Sequence, residues 1–472
     1  MPNNYWSDNE SADELDPLSS LLSELTDPED EEEEFRSDFF QGLEGRRRKA
    51  AFVLMLVWAI TLGLHLVPWG IWVVRGLMAI LVFQGLRLVL SKPENTSQKA
   101  LTTTPFVSLL VAAKNEETVI PKLVNQLCQL NYPIDKYEVW IVDDQSSDRT
   151  PALLEKLTQD YPQLKVLYRS AGSGGGKSGA LNQVLPLTQG EIIGVFDADA
   201  SIPENLLNSV IPLFEPTDVG AVQVRKAIAN LGVNFWTGGQ SSEMALDSYF
   251  QEQRIAIGGI GELRGNGQFV RREALKSCGG WNEQTITDDL DLTIRLHLDN
   301  WKIQLLAFPP VQEEGVTNLG ALWHQRNRWG EGGYQRYLDY WRLMIPSSMG
   351  WRKKLDLFFF LMIQYLLPSA AIPDLLMVII RHRPPLLMPL TGVVFSISSW
   401  GMLWGLRRAQ NLEKISFSHW LNLIGQTLRG MIYMLHWAII IPSITARIAL
   451  RPKRLKWVKT VHEGASEESF VS

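Results

Sequence analysis

Long apolar blocks near both ends of the chain constrain its fold more than any other feature. Two of them, Ala51 to Val67 and Ile71 to Leu90, are separated only by a short turn, Pro68 to Gly70. A helix that crosses a bilayer needs about 20 mostly apolar residues. The pair therefore predicts a transmembrane hairpin. The alternative, two helices buried in a soluble core, is disfavoured by apolar runs of this length.

Basic residues predict the orientation of this hairpin. A run from Arg46 to Lys49 precedes it, and its turn carries no basic residue. Because segments rich in Lys and Arg stay on the cytosolic side, the N-terminal tail and the region after Leu90 are predicted to be cytosolic. The central region would then meet cytosolic metabolites.

Apolar blocks return after residue 350, at Leu355 to Ile380, Leu386 to Leu406 and Met431 to Leu450. Three crossings would leave the C-terminus outside, whereas the basic residues from Arg451 to Lys456 favour the inside. The first block contains prolines and an aspartate, so it is the best candidate for a segment that re-enters or lies in the interface. The topology of this region stays open.

The remaining segments complete the predicted organisation. Residues 1–45 are polar and acidic, which predicts a mostly disordered tail. A short helix is expected within it around Leu18 to Leu25. Residues 46–92 are the hairpin and 351–450 the C-terminal membrane region. Residues 319–350 predict interfacial helices, and 451–472 a basic and then polar tail.

The central region, residues 105–318, has short β-branched runs that alternate with amphipathic stretches. Examples of the runs are Val107 to Ala113, Glu138 to Val142, Lys165 to Tyr168, Ile192 to Phe196 and Ala221 to Val224. This alternation predicts an α/β domain with a mostly parallel central sheet. The formal charge of -6 argues against nucleic acid as a partner. Cys128 and Cys278 are too few for a disulfide framework and are read as reduced packing residues.

Polar residues follow the predicted strands at their carboxyl ends, where open α/β sheets bind ligands. The first strand leads into Lys114 to Glu117, and the second into Asp143 to Asp148. A carboxylate of this second segment can accept the imide hydrogen of a uracil ring. The alternative is that Ser146 and Asp148 cap the following helix.

The fourth strand ends in Asp197, Ala198 and Asp199. Two carboxylates at one strand end can hold Mg²⁺ or Mn²⁺ against a diphosphate, because these ions take few protein oxygens and complete their shell with phosphate and water. The glycine-rich segment before this strand contains Lys177. It lacks the first glycine of a P-loop, where Ala171 stands, so we interpret Lys177 as a phosphate or donor contact.

Two later segments complete the candidate site. Asp288 and Asp289 open an amphipathic stretch, where they suit the helix dipole, and Asp289 is also placed to act as a general base on an acceptor hydroxyl. The run Gln325 to Trp329 lies on a predicted interfacial helix. An arginine there can neutralise a diphosphate, and Trp329 offers an apolar face. Interfacial anchoring is the alternative for both residue types.

Taken in order, these motifs resemble the processive-type family 2 glycosyltransferases, which include cellulose, hyaluronan and ceramide-glucose synthases. The resemblance covers about residues 105–335. The departures are an aspartate, Asp288, where the family usually has glutamate, and the absence of a histidine common in cellulose synthases near Lys177. The motifs that carry it are D-D-x-S-x-D at Asp143 to Asp148, G-K-S-G-A-L-N at Gly176 to Asn182, D-A-D at Asp197 to Asp199, G-N-G at Gly265 to Gly267, T-D-D at Thr287 to Asp289 and Q-R-N-R-W at Gln325 to Trp329.

The resemblance implies a GT-A fold, a UDP-sugar donor, a divalent cation (Mg²⁺ or Mn²⁺) and inversion at the anomeric carbon. It also implies roles for residues at the motif positions. Asp289 would be the catalytic base, and Asp288 and Trp329 would contact the acceptor. The expected donor contacts are Glu116, Asp144, Lys177, Asp197, Gln325 and Arg328, and the expected metal ligands are Asp197 and Asp199.

The chain's layout, with its acidic tail, leading hairpin and trailing apolar segments, is most similar to family members that glucosylate lipids. This resemblance implies transfer of glucose from UDP-glucose to the 3-hydroxyl of 1,2-diacylglycerol or another membrane lipid, in the cell membrane or thylakoid membrane. A processive β-polysaccharide synthase that extrudes its product is the alternative enzyme. A non-catalytic scaffold or transporter is disfavoured, because it has no need for the separate aspartate motifs.

Overall fold

The structure is a computed structural model that describes residues 42–93, 103–411 and 416–450. The acidic tail before residue 42, with its predicted short helix, lies outside the described residues, as do the basic C-terminal residues after Leu450. The hairpin, the central domain and the C-terminal apolar blocks lie almost entirely within them.

A seven-stranded sheet organises the central domain, in the order β3-β2-β1-β4-β6-β5-β7. β6 is antiparallel to both of its neighbours, and the other strand pairs are parallel. The mostly parallel sheet predicted from sequence is therefore confirmed. The strands are β1 Val107–Ala113, β2 Tyr137–Asp143, β3 Leu164–Tyr168, β4 Ile192–Phe196, β5 Val219–Ile228, β6 Gln268–Arg271 and β7 Lys302–Glu313.

Alternate side chains of the strands enter two apolar clusters on opposite faces of the sheet. In β1, Leu109 and Val111 belong to one cluster, and Leu110 belongs to the other. This follows from the two-residue repeat of a strand. Burial on both faces explains why the central strands are almost continuously apolar in sequence.

The helices fall into two groups. One group belongs to the central domain with the sheet, and the other contains the long apolar helices and the helices next to them. The helices of the central domain are α3 Ile120–Cys128, α4 Thr150–Asp160, α5 Gly176–Val184, α6 Leu206–Val210, α7 Phe235–Ala256, α8 Arg272–Ser277 and α9 Asp288–Leu298. The others are α1 Gly42–Leu66, α2 Gly70–Val89, α10 Leu319–Met344, α11 Trp351–Leu361, α12 Leu367–Arg381, α13 Met388–Ala409, α14 Phe417–Tyr433 and α15 Trp437–Leu450.

Within the described ranges, four helical segments are long and apolar enough to cross a membrane. They are Gly45–Leu66, Gly70–Val89, Trp351–Arg381 and Phe417–Leu450. The third joins α11 and α12 through a π-helical turn, Met362–Leu366, and the fourth joins α14 and α15 through a 3₁₀ turn, Met434–His436.

The last apolar block begins earlier in the structure than the sequence pattern predicted. Helix α14 starts at Phe417, fourteen residues before the predicted start at Met431. Its residues 417–433 are amphipathic and pack through Leu423 against Ala245 and Leu246 of α7. Because part of α14 is buried against protein, its residues 417–430 do not form a uniformly apolar run, and the sequence pattern does not reveal them.

Buried ion pairs join helix α10 to the apolar helices α1 and α15. Arg46 of α1 pairs with Asp339 at 2.7 Å, and Arg447 of α15 pairs with Glu331 at 2.6 Å. Removing one member of such a buried pair leaves an uncompensated charge. The pairs therefore fix α1 and α15 relative to the helix that carries the Q-R-N-R-W motif.

Candidate active site

One large cavity, of about 1690 Å³, opens at the carboxyl ends of the parallel strands. Residues at the end of β1, residues directly after β2 and β4, and residues of α5, α9 and α10 meet there, as expected for an open α/β sheet. The structure thus brings together every predicted site residue, namely Glu116, Asp144, Lys177, Asp197, Asp199, Asp288, Asp289, Gln325, Arg328 and Trp329.

The aspartates after β4 form the acidic centre of the cavity. Asp199 accepts a hydrogen bond from the backbone N–H of Glu314. Burial, together with the neighbouring carboxylates of Asp197 and Glu313, raises the pKa of Asp199 to about 8. The carboxylates therefore repel one another strongly enough to favour a proton or a cation between them.

Asp197 and Asp199 supply carboxylate oxygens, a ligand type that suits Mg²⁺ and Mn²⁺. In the described part of the chain, no group of three or more His, Cys, Asp or Glu residues forms a closed metal site. An incomplete protein shell is the arrangement expected for Mg²⁺, which keeps waters and substrate phosphates as ligands. Asp197 and Asp199 are the side chains suited to contribute its protein oxygens.

The G-N-G motif, Gly265 to Gly267, contacts the backbone of Asp197. The side-chain oxygen of Asn266, which is fully buried, accepts a hydrogen bond from the backbone N–H of Asp197. Gly265 and Gly267 both have positive φ values, of 78° and 72°. Glycine adopts this backbone region without a steric penalty. The two glycines therefore allow the backbone to turn sharply on both sides of Asn266.

Lys177 lies in the first turn of α5 and forms an ion pair with Asp197. Burial opposes its charge, but the carboxylates of Asp197, Asp288 and Asp289 outweigh burial and raise the pKa of Lys177. The ammonium group therefore stays protonated. A lysine held this way at a helix N-terminus is suited to a phosphate group.

Asp144 lies at the other end of the cavity, beyond β2. Arg169 donates a 2.6 Å hydrogen bond to its Oδ1 atom. Glu116 is nearly buried beyond β1, and its backbone N–H donates to Thr150. The sequence pattern did not identify Arg169, because it follows β3 without a recognisable motif.

Asp289 lies in the first turn of α9 and is the candidate base. The backbone N–H of Leu290 donates a 2.8 Å hydrogen bond to its Oδ1 atom. Burial and the adjacent charge of Asp288 raise the pKa of Asp289 to about 6, and Arg264 and Lys177 act in the opposite direction. A carboxylate with such a pKa is both ionised near neutral pH and able to hold a transferred proton.

The Q-R-N-R-W motif divides its residues between the cavity and the protein interior. Gln325, Arg328 and Trp329 line the cavity. Arg326, by contrast, is fully buried and pairs with Glu243 of α7. Lys226 lies with its ammonium group 5.1 Å from the centroid of the Trp329 ring.

A buried network of charges beside Asp289 was missed by the sequence analysis. Glu262 accepts ion pairs from Arg254, Arg264 and Arg336, at 3.0, 2.7 and 2.6 Å. Arg254 and Arg264 also pair with Asp356 and Asp247. These residues are far apart in sequence and follow no spacing rule, so only the fold reveals the network.

The cavity extends beyond these polar groups into an apolar chamber. Residues of α2, α7, α11, α12, α13 and α15 line it, and most of these helices belong to the segments that are apolar enough to cross a membrane. Pockets for one small molecule have volumes of about 300–1,000 Å³. The whole cavity is therefore large enough for two ligands of different polarity.

Comparisons with known proteins agree with this site. A family model described as glycosyl transferase family 2 matches residues 108–279. The chain is 60% identical over 476 residues to the β-monoglucosyldiacylglycerol synthase of Synechocystis sp., covering 100% of this chain and 99% of the relative. It is 59% identical over 468 residues to the synthase of the same name from Trichormus variabilis, covering 99% of this chain and 100% of the relative.

A solved structure with a similar fold is the mannosyltransferase of Pyrobaculum calidifontis in complex with GDP-Man and Mn²⁺. Its TM-score is 0.55 at 19% identity, covering 79% of this chain and 99% of that chain. At this identity the likeness concerns the fold alone, and it confirms the expected GT-A domain. The full-length relatives and the matching family model establish that the chain belongs to glycosyl transferase family 2 and is a glycosyltransferase.

Proposed function

We propose that this chain transfers glucose from UDP-glucose to the 3-hydroxyl of 1,2-diacylglycerol, with inversion, to give β-monoglucosyldiacylglycerol. The observation that carries the proposal is a cavity in which a carboxylate cluster continues into an apolar chamber. A nucleotide sugar suits the first part and a lipid suits the second. Identities of 58–60% along the whole chain with synthases of that product support both substrates.

In the proposed reaction, the acceptor oxygen attacks the anomeric carbon from the side opposite the diphosphate. The bond between that carbon and the diphosphate oxygen breaks, and UDP leaves with the bonding electrons. A carboxylate oxygen of Asp289 takes the hydroxyl proton as the new bond forms. One displacement at an α-linked donor gives a β-linked product.

The donor would lie across the carboxyl ends of β1, β2 and β4. Within the described ranges, the hydrogen bonds from Arg169 and Gln145 both end on Oδ1 of Asp144, so Oδ2 is available to the imide N–H of uracil. Lys177 and Arg328 would neutralise the diphosphate, with Gln325 beside them. Glu116 would border the nucleoside.

Asp197 and Asp199 would hold the divalent cation, Mg²⁺ or Mn²⁺. Bound there, the cation would screen the negative charge that develops on the departing diphosphate. The Mn²⁺ in the fold neighbour supports this assignment. Asp288 and Trp329 would contact the acceptor on the opposite side of the sugar.

We place the enzyme in the membrane with its catalytic domain in the cytosol. The segments long and apolar enough to cross a bilayer support insertion, and the basic run before the hairpin supports the orientation. The cyanobacterial relatives support a cell membrane or thylakoid membrane location.

Product analysis tests the proposal. Membranes containing the chain, incubated with labelled UDP-glucose, should yield a chloroform-soluble monoglycosyl lipid, and NMR should show a β linkage. Mass spectrometry with several UDP-sugars should show glucose as the preferred donor. A long product that is insoluble in chloroform would instead support the polysaccharide synthase.

A further inference from the structure

Three residues that line the apolar chamber are exposed, and they lie on two helical segments. Phe395 and Leu435 both line the cavity, yet they are 54% and 59% exposed. Ala438 also lines the cavity and is exposed. Phe395 belongs to α13, whereas Leu435 and Ala438 belong to the α14–α15 segment. We call this exposed border of the chamber, between α13 and the α14–α15 segment, the side mouth.

The surface around the side mouth is strongly apolar. On the α14–α15 segment, Leu428, Ile432 and Ile439 are 61%, 60% and 65% exposed. A contiguous surface of this kind is rare on a soluble monomer and indicates contact with another apolar phase. The same segment is long and apolar enough to cross a membrane, so acyl chains are the phase that fits it.

The other side of α13 is closed by tight packing. A Cβ atom at Gly85 of α2 would lie 2.2 Å from the Ile397 side chain, and one at Gly401 would lie 2.8 Å from the Phe250 ring. Glycines therefore let α13 approach both α2 and α7 closely. At these two positions α13 leaves no space for an acyl chain against α2 or α7.

The inner end of the chamber meets the buried charge network at Phe360. The guanidinium groups of Arg254 and Arg336 lie 4.8 and 5.2 Å from the centroid of its ring. Those arginines are paired with carboxylates of Glu262 and Asp356. Arg254 and Arg336 also line the cavity. Because their charges are neutralised within the network, this part of the wall carries little net charge between the chamber and Asp289.

We propose that the side mouth is the entrance through which a neutral glycerolipid with two acyl chains passes from the bilayer to Asp289. This inference rests on the proposed function. The acyl chains occupy the chamber between α13 and α15, with the glycerol hydroxyl at the carboxylate cluster. The glycosylated product, whose head group is larger, leaves by the same route with its chains in the bilayer.

A matched pair of substitutions tests the entrance. Ala438→Trp places a bulky ring in the side mouth, whereas Ile439→Trp alters the next residue, which is exposed but does not line the cavity. Full-length protein in liposomes is assayed with UDP-glucose and dioleoylglycerol, and in detergent with dihexanoylglycerol. Ala438→Trp should lower kcat/KM for dioleoylglycerol by about tenfold, or about 1.4 kcal/mol, with a much smaller effect on dihexanoylglycerol.

Ile439→Trp should behave as the wild type with both acceptors. If Ala438→Trp has the wild-type kcat/KM for dioleoylglycerol, the side mouth is not the entrance. Equal losses of kcat/KM in Ala438→Trp and Ile439→Trp would have the same meaning. Photolabelling the wild-type protein with a diacylglycerol that carries a diazirine on one chain is the second measurement, independent of folding of the variants. Label should appear in peptides spanning residues 388–409 and 434–441, and its absence there would also overturn the entrance.

Failure of the entrance and failure of the proposed function give different results. If the wild type forms no glycosyl lipid from any of the UDP-sugars tested, the assignment of the reaction fails. If it forms glucosyldiacylglycerol while Ala438→Trp and the label show no involvement of the side mouth, only the entrance fails.

Discussion

The guanidinium carbon of Arg326 lies 4.1 Å from the centroid of the Trp329 ring. Glu243 of α7 holds the same guanidinium group through an ion pair and also accepts hydrogen bonds from Tyr433 and Trp437. The motif arginine therefore fixes the tryptophan that lines the cavity, and it connects α10 to the apolar segment α14–α15.

We expect Arg326→Lys to disturb the acceptor more than the donor. Lysine keeps a positive charge near Glu243 but loses the planar group that stacks on Trp329. The KM for diacylglycerol should rise while the KM for UDP-glucose stays close to that of the wild type. Steady-state kinetics with each substrate varied in turn measures both.

Arg342→Met is the control for this variant. Arg342 lies on the same helix, is exposed, and stacks on Trp341 at 5.3 Å. Its replacement should leave both KM values unchanged. An equal rise of both KM values in Arg326→Lys would contradict a role in positioning Trp329 alone.

Asp289→Asn should abolish turnover and retain donor binding. The amide cannot accept the acceptor's proton, and general base catalysis contributes about 10²–10⁴-fold. Single-turnover assays measure the loss, and calorimetric titration with UDP measures binding. Asp299→Asn, at the C-terminal end of the same helix, is the control and should keep full activity. Appreciable turnover by Asp289→Asn would remove this residue from the role of base.

The sequence predicted which residues line the cavity, but it did not predict which side chains pair with one another. Asp144, Lys177, Asp197 and Asp289 follow strands or begin helices, and all four line the cavity, as the rule that ligands bind at strand ends predicts. The pairings of Asp144 with Arg169 and of Lys177 with Asp197 depend on side-chain directions. No local pattern encodes those directions.

The sheet shows the same limit. The parallel strands β1 to β4 were evident because each is a short β-branched run, whereas β6 has only four residues and pairs antiparallel between β4 and β5. So short a strand is recognisable only from its partners. The charge network around Glu262 was hidden for a related reason, since its arginines look like ordinary surface residues until the fold buries them.

Removal of the divalent cation should abolish donor binding, and Asp199→Ala should weaken the response to metal. Without a cation, Asp199 is buried near Asp197 and Glu313, and its pKa is raised to about 8. A cation replaces that proton and stabilises the carboxylate. Binding of UDP, measured over a series of Mn²⁺ concentrations after treatment with a chelator, should show the loss.

Asp160→Ala is the matched control, because Asp160 is an exposed aspartate at the end of α4. Its response to Mn²⁺ should equal that of the wild type. If Asp199→Ala responds to Mn²⁺ as the wild type does, the assignment of Asp199 as a ligand is wrong.

The rate of transfer should fall as the pH is lowered through about 6. Asp289 acts as a base only when ionised, and burial together with the charge of Asp288 raises its pKa to about 6. Because the pKa of this acid is raised, the inactive protonated form persists to a higher pH than for an ordinary aspartate. Removing the negative charge in Asp288→Asn should lower the pKa of Asp289 and move the acidic limb of the kcat profile to lower pH. Asp299→Asn, the control, should not move the acidic limb of the kcat profile. If Asp288→Asn also leaves this limb at the wild-type pH, a group other than Asp289 controls it.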